Sequence, residues 1–308
     1  MRVFVTGASG WIGSAVVPEL IEAGHQVIGL ARSEDSAIAL VGAGVEVHRG
    51  TLDDLKILHR VAMSADGVIH LAFKHELAFT GGFLGAATAD RRAVETLADA
   101  LEGTDRPLVI ASGTLGVSPG RVATELDGHG DDTSLAAFGE GPFARRATAE
   151  FTLDLASRGV CSSVMRLPPT NHGDGDHGFV ATLVAIARDK GVSGYIGDGS
   201  NRWPAVHRLD SARLFRLALE EAPAGSTLHA VADQGVPIRD IADVIGRNLN
   251  LPVVSITPED ARQHFAWLAP FLAADSPASS ALTQKLLGWQ PVQPGLIDDL
   301  AEGHYFNG

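Results

Sequence analysis

Short apolar runs alternate along this chain with longer stretches in which apolar residues recur every three or four positions. RVFV (2–5), QVIGLA (26–31), VEVHR (45–49), GVIHLAF (67–73) and PLVIAS (107–112) are each bounded by Gly, Pro or charged residues and predict successive strands. Between them, WIGSAVVPELIEAG (11–24), LDDLKILHRVAMSA (52–65) and ADRRAVETLADALEG (89–103) carry a helical period. The first ends on a C-cap at Gly24, and Pro18 inside it removes an N–H and favours a kink; the other two have acidic first turns. Strands this uniformly apolar are buried on both faces. Parallel pairing then requires right-handed crossovers, and the economical architecture is α/β: a Rossmann-type, doubly wound parallel sheet.

Beyond about residue 170 the alternation loosens. GFVATLVAIARDKG (178–191), DSARLFRLALEEA (210–222) and VPIRDIADVIGRNL (236–249) read as helices, TLHAVA (227–232) and LPVVSI (251–256) as strands, and APFLAADSPASSAL (269–282) as a small-residue stretch before a last helix. VCSSVMRL (160–167) and TLHAVA both suit the main sheet. The expected division is therefore residues 1–170 and a smaller region, 171–308, interleaved with the first.

Composition narrows the partners. Of 308 residues only 20% are charged, which fits an ordered soluble protein. Lys and Arg number 24 against 37 Asp and Glu, a net charge of -13 with no basic stripe, so nucleic acid is not an expected partner. A single cysteine, Cys161, excludes an internal disulfide framework and a multi-cysteine zinc site, and fits a reducing cytoplasm. No secretory leader or bilayer-length apolar run is read, and no membrane partner is expected.

The candidate chemistry begins at VTGASGWIGS (5–14). Gly7, Gly10 and Gly13, with Ala8, Ser9, Trp11 and Ile12 between them, follow a strand and open a helix in the first unit of an alternating chain. Such a turn lets backbone N–H groups approach a pyrophosphate, which the positive end of the helix stabilises. After the second strand the chain reads GLARSEDS (29–36), with Arg32 and Ser33 where NAD binders commonly carry an acid for the ribose hydroxyl. A guanidinium and a hydroxyl suit a 2′-phosphate, so NADP is expected ahead of NAD. The plainer reading of Ser33 is a cap for the next helix.

TGASGWIG (6–13), GTLDD (50–54), HLAF (70–73), ASGT (111–114), RLPP (166–169), VHRLD (206–210) and LLGWQP (286–291) together make the chain resemble the extended short-chain dehydrogenase/reductases of the NAD-dependent epimerase/dehydratase type. The resemblance spans almost the whole chain. It implies Thr51 and Leu52 beside the adenine, Thr51 standing where the family usually has Asp. Leu71, Ala72 and Phe73 would line the cofactor's middle, and Pro168 and Pro169 its nicotinamide end. It also implies a homodimer through helices flanking the sheet, GPFARRATAEF (141–151) among them, with a substrate-binding role for the second region. His207 and Asp210 read as a structural contact and a helix cap.

The departure from the family is in GPFARRATAEF. Aligned on Glu150, Pro142 stands at the catalytic tyrosine and Arg146 at the catalytic lysine, and the chain's two tyrosines are Tyr195 and Tyr305. The hydroxyl position after the fifth strand survives: Thr114 matches it best and Ser112 is close behind. These three, Thr114, Ser112 and Arg146, are the expected catalytic residues of an atypical member. A guanidinium stays protonated, so Arg146 is no base, but it suits a ribose or a developing negative charge. The hydroxyls suit an oxyanion, with water supplying the proton, which favours reduction over alcohol oxidation.

The leading expectation is thus an NADP(H)-dependent oxidoreductase reducing a small carbonyl or imine; a preformed iminium needs no proton with its hydride. A non-catalytic NADP-binding sensor and a nucleotide-sugar epimerase or dehydratase are the alternatives. The loop NHGDGDHG (171–178) places His172, Asp174, Asp176 and His177 together, yet it matches neither a zincin nor an EF-hand; it reads as a polar loop at the substrate mouth, with His172 or His177 as a candidate proton donor and no metal expected. His70 and His75 flank the fourth strand's end, His75 as a candidate acid, and Tyr195 reads as packing.

Overall fold

The computed structural model describes residues 1–129 and 140–307, with backbone alone for 140–143. The chain opens β1 (Arg2–Thr6), α1 (Gly13–Glu22), β2 (Gln26–Ala31), α2 (Glu34–Gly42), β3 (Glu46–Arg49), α3 (Leu55–Met63) and β4 (Gly67–His70). A short α4 (His75–Leu77) and a wide turn at Ala78–Gly82 lead into α5 (Phe83–Leu101), followed by β5 (Pro107–Gly113), α6 (Glu140–Asp154) and β6 (Cys161–Leu167). Then come β7 (Thr170–His172), α7 (Phe179–Lys190), β8 (Ser193–Ile196), β9 (Arg202–His207), α8 (Arg208–Glu221), β10 (Ser226–His229), β11 (Asp233–Pro237), α9 (Ile238–Leu249) and β12 (Val253–Ile256). Short helices α10 (Ala261–Phe265), α11 (Ala269–Leu272), α12 (Ala281–Leu287) and α13 (Leu296–Ala301) complete it.

The central sheet has seven strands in the order β10-β6-β5-β4-β1-β2-β3, all parallel. Alternate residues of β1 serve opposite faces. Val3 and Val5 pack with Val16, Leu20, Phe215 and Trp289 under α1 and α8, whereas Phe4 packs with Leu58, Val61, Val94 and Leu97 of α3 and α5. Both layers exclude water, which is why these strands lack polar alternation. After β3 the chain crosses back to β4 on the other side of β1. That reversal opens a crevice at the strands' carboxyl ends, the position where open α/β sheets hold ligands.

Several elements depart from the expected bounds. β4 ends at His70, where its pairing with β1 and β5 stops, and Leu71–Phe73 leave the sheet to border the crevice. α5 starts at Phe83, six residues ahead of the ADRRAVETLADALEG window; its first turns bury the small Ala86 and Ala87, which give little periodic signal. α3 has no acidic first turn: Asp54 lies just before it and accepts from the Thr51 N–H (2.7 Å) and hydroxyl (2.9 Å), closing the preceding turn. α1 runs through Pro18 as far as Glu22.

Two smaller sheets flank the carboxyl edge: β9 pairs in parallel with β7 and antiparallel with β11, and β8 pairs with β12. Their core gathers Trp203, Ile238, Ile241, Ile245, Phe265 and Leu268. α9 contributes the regular face Ile238, Ile241, Ala242, Val244 and Ile245. β6 and β10 lie side by side in the central sheet, so the chain leaves that sheet and returns to it. No described helix is long and apolar enough to cross a membrane.

Candidate active site

β1 runs out at Thr6 and the backbone turns sharply at Gly7, whose φ of +69° favours glycine. Here the chain is pressed from two sides. A Cβ on Gly7 would stand 2.8 Å from the Ala72 nitrogen, and one on Gly13 would stand 2.1 Å from the Gly7 carbonyl oxygen. The Gly10 N–H closes the turn onto that same oxygen at 2.9 Å. Gly10 itself is exposed on the crevice. The Ser14 N–H bonds the Gly10 carbonyl, and those of Ala15 and Val16 bond the Ile12 carbonyl; the N–H groups of Trp11, Ile12 and Gly13, residues that line this opening, have no backbone acceptor among the described residues, so the turn fits a pyrophosphate. Beneath it Thr6 Oγ1 accepts from the Ala72 N–H (3.3 Å) and bonds His70 Nδ1 (2.8 Å), whose Nε2 meets Asp90 (3.2 Å), a buried line bracing the strand ends.

The turn opens into one continuous cleft of about 1380 Å³. Of the residues expected around a cofactor, Gly7, Ser9, Gly10, Trp11, Ile12, Gly13, Arg32, Thr51, Leu52, Leu71, Ala72, Phe73 and Pro168 line it; of those expected in catalysis, Ser112 and Arg146 do. Three others do not. Ala8 is fully buried in the core beneath the turn. Ser33 caps α2, accepting from the Ser36 N–H at 3.2 Å, and Ser36 reaches the cleft in its place. Thr114, the favoured hydroxyl, is 1% exposed with an unpartnered Oγ1 inside the protein, because the chain leaves β5 at Gly113 and the strand's alternation of faces no longer applies. The hydroxyl on the cleft wall is that of Ser112, with no hydrogen-bond partner among the described residues.

Trp11 ties the glycine turn to the second half of the chain. Its indole N–H donates to the Asn171 carbonyl (2.6 Å), Arg208 covers its face at 4.2 Å, and His177 meets its edge at 5.6 Å. Of the NHGDGDHG loop, Asp176 and His177 line the cleft. Asp176 accepts from the Gly178 N–H (2.6 Å) and from Tyr305 (2.9 Å), a partner 129 positions away that sequence spacing gave no reason to connect. Its burial raises its pKa against those bonds. His172 turns inward to Asp299 at 2.8 Å. His207 caps α8 through Leu209 N (3.3 Å), and Asp210 accepts from the N–H groups of Val292 and Gln293, clamping the segment after Trp289. Tyr195 packs beneath Arg239, off the cleft.

Beyond the cofactor cradle the cleft widens into an aromatic chamber that the sequence did not announce. Phe79 comes from the wide turn, Phe83 from α5, Phe179 from α7, and Trp267 and Phe271 from the segment around α11. Phe79 and Trp267 lie 4.7 Å apart, Phe179 and Phe271 5.2 Å, and Phe73 and Phe83 5.7 Å. The one legible hint was the four-residue spacing of Trp267 and Phe271. His75 also lines the chamber; desolvation first, then the Arg145 charge, push its imidazole down to about 4, so it is neutral at pH 7 and poorly suited as an acid.

Three arginines reach this wall. Arg146 donates to the Gly116 carbonyl at 2.9 Å, and Arg166 to the Asp127 carbonyl at 2.7 Å. Arg145, adjacent to the residue singled out from sequence, lies with its guanidinium carbon 4.0 Å over the Phe73 ring. Pro142 falls in the first turn of α6, and its side chain lies outside the described residues.

Comparison with known proteins agrees with this architecture. The model of the NAD dependent epimerase/dehydratase family matches residues 3–231. Protein C2A9.02 of Schizosaccharomyces pombe is 47% identical over 99% of this chain and all of its own length. The 2-alkyl-3-oxoalkanoate reductase of Stenotrophomonas maltophilia is 26% identical over 82% of this chain and 77% of that protein. Among solved structures, a dTDP-glucose 4,6-dehydratase from Streptomyces venezuelae superposes with a TM-score of 0.76 at 20% identity, covering 99% of this chain and 96% of that one. With its glycine turn, parallel sheet and cleft, the chain belongs to the NAD dependent epimerase/dehydratase family.

Proposed function

We propose that this protein is an NADP(H)-dependent reductase of a small carbonyl or imine compound. The observation that carries the reading is the continuity of one cleft, from a glycine turn that fits a pyrophosphate to an aromatic chamber that fits an apolar substrate. When bound, a reduced nicotinamide supplies a hydride. The Ser112 hydroxyl, unengaged on the cleft wall, is placed to donate a hydrogen bond to an oxygen gaining negative charge. Arg146, held against Gly116, adds fixed positive charge nearby, and the aromatic side chains exclude water around the acceptor. The proton is assigned to solvent, His75 being neutral and Arg146 permanently protonated.

The preference for NADP rests on Arg32. Its guanidinium lines the cleft and meets Glu76 at 3.0 Å, both side chains largely exposed, so it is available to exchange that partner for a 2′-phosphate. The relative named for 2-alkyl-3-oxoalkanoate reduction supports a reductase acting on a carbonyl. Fluorescence titration with NADPH and NADH, followed by ketones, aldehydes and cyclic imines while cofactor oxidation is monitored, tests the reading. Substrate-dependent oxidation of NADPH is expected; tight binding with no oxidation by any compound would instead favour a redox sensor.

A further inference from the structure

Resting on the reductase reading, we propose that the substrate has an apolar body and a carboxylate, and that Arg145 receives the carboxylate. The guanidinium of Arg145 lines the cleft at the junction of the cofactor cradle and the aromatic chamber. It is fixed face-on to Phe73 at 4.0 Å, and its Nε is buried with no hydrogen-bond partner. No carboxylate among the described residues pairs with it. Asp90, the acid that most influences it, is engaged by His70 at 3.2 Å.

The other charges of the cleft have protein partners. Lys74 holds Asp53 (2.7 Å), Arg32 holds Glu76 (3.0 Å), Arg146 and Arg166 donate to backbone carbonyls, and Asp176 accepts from Tyr305 and Gly178. Arg145 therefore stands apart as a cleft-lining cation with no acceptor for its buried Nε–H. A guanidinium carries five N–H groups in a planar fork and loses stability when removed from water without an acceptor. A carboxylate entering the cleft would restore both the charge balance and two parallel hydrogen bonds, which a neutral amide or ester does less well. Around it, Phe79, Phe83, Phe179, Trp267 and Phe271 offer ring faces and no charge. The chemistry that fits this combination is an aryl or alkyl carboxylic acid whose reducible group lies toward Ser112.

Calorimetric titration with 3-phenylpropanoate and its neutral counterpart 3-phenylpropanamide, each with and without saturating NADPH, tests the site without requiring turnover. The carboxylate is expected to bind about ten-fold tighter or more than the amide. In Arg145→Gln that preference should vanish while the affinity for the amide stays within about three-fold, which also shows that the chamber is intact. Arg145→Lys keeps the charge but not the fork, and should retain a reduced preference. Equal binding of the two probes, binding of neither, or an undiminished preference in either variant overturns the proposal. Failure to bind NADPH together with an intact carboxylate preference would remove the reductase reading and leave the anion site standing.

Discussion

Gly13 lies so close beneath the first turn that a Cβ built on it would stand 2.1 Å from the carbonyl oxygen of Gly7. The atom in the way is backbone, so no rotamer change relieves the clash. Gly13→Ala is expected to lose stability by about 1–3 kcal/mol or more and to abolish NADPH binding, because α1 must shift off the turn. Gly10→Ala meets only the Gly7 oxygen, at 3.2 Å. It should fold with a nearly unchanged melting temperature yet bind NADPH about ten-fold more weakly, its methyl intruding where the pyrophosphate approaches. Melting curves and NADPH titrations of the two variants separate these effects.

Arg32 and Glu76 form an exposed pair at the edge of the cleft, with side chains 69% and 83% accessible. Such a pair is worth about 0–1 kcal/mol, so it constrains the guanidinium little. Arg32→Asp should weaken NADPH binding at least about ten-fold and leave NADH nearly unaffected. Glu76→Gln should tighten NADPH binding modestly by releasing Arg32 and removing a negative charge. Parallel titrations with both cofactors check this, and unchanged affinities in both variants would remove Arg32 from the cofactor site.

Ser112 and Thr114 are two residues apart and differ in what they face. Ser112→Ala should lower kcat by about ten- to a hundred-fold with little change in melting temperature, as expected when a donor to a developing oxyanion is lost. Thr114→Val replaces a buried, unpartnered hydroxyl with a methyl of similar shape. It should leave kcat within about two-fold and hold or raise stability. The reverse pattern would place Thr114, not Ser112, at the reacting oxygen.

His229 is fully buried; its Nδ1–H donates to the Ser279 carbonyl at 2.8 Å, and Arg166 Nη1 lies 3.4 Å from its Nε2. Burial first, and the Arg166 charge with it, lower its pKa from the ordinary 6.5, against the opposing pull of Glu125. As pH falls below 6.5 the unfolded chain takes up this proton before the folded one does, so this contribution to stability is complete above 6.5 and is lost on acidification. The melting temperature should be flat near pH 7–8 and fall below about pH 6. In His229→Asn, less stable at neutral pH, that fall should be shallower; an unchanged slope would assign it to other groups.

Much of the scaffold was legible because its signals are local. The strand QVIGLA coincides with β2, and RVFV and PLVIAS lie within β1 and β5, since buried parallel strands read as unbroken apolar runs. The glycine turn was visible because the positive φ of Gly7 and the contact of Gly13 with Gly7 and Ala8 arise within the first unit, whereas the approach of Ala72 to Gly7 comes from the end of β4. GVIHLAF was over-read at its end: Leu71–Phe73 are as apolar as strand residues, but there they border a cleft and not a helix layer.

What the sequence determined by itself is the succession of the first five strands and the turn that starts them, because period, glycine and charge act over a few residues; β7, β8, β9 and β11 were not read from it. Tertiary structure alone decided which side chains share the site. Arg145 and Arg146 are adjacent, and successive helix positions point about 100° apart, so only the seating of α6 places Arg145 over Phe73. Phe79, Phe179 and Trp267 meet across nearly two hundred residues, and Tyr305 reaches Asp176 from the far end of the chain. No local pattern encodes such meetings, since they depend on how whole layers pack. The cofactor turn was thus written in neighbouring residues, and the substrate chamber arose where the carboxyl edge of the sheet meets the smaller sheets.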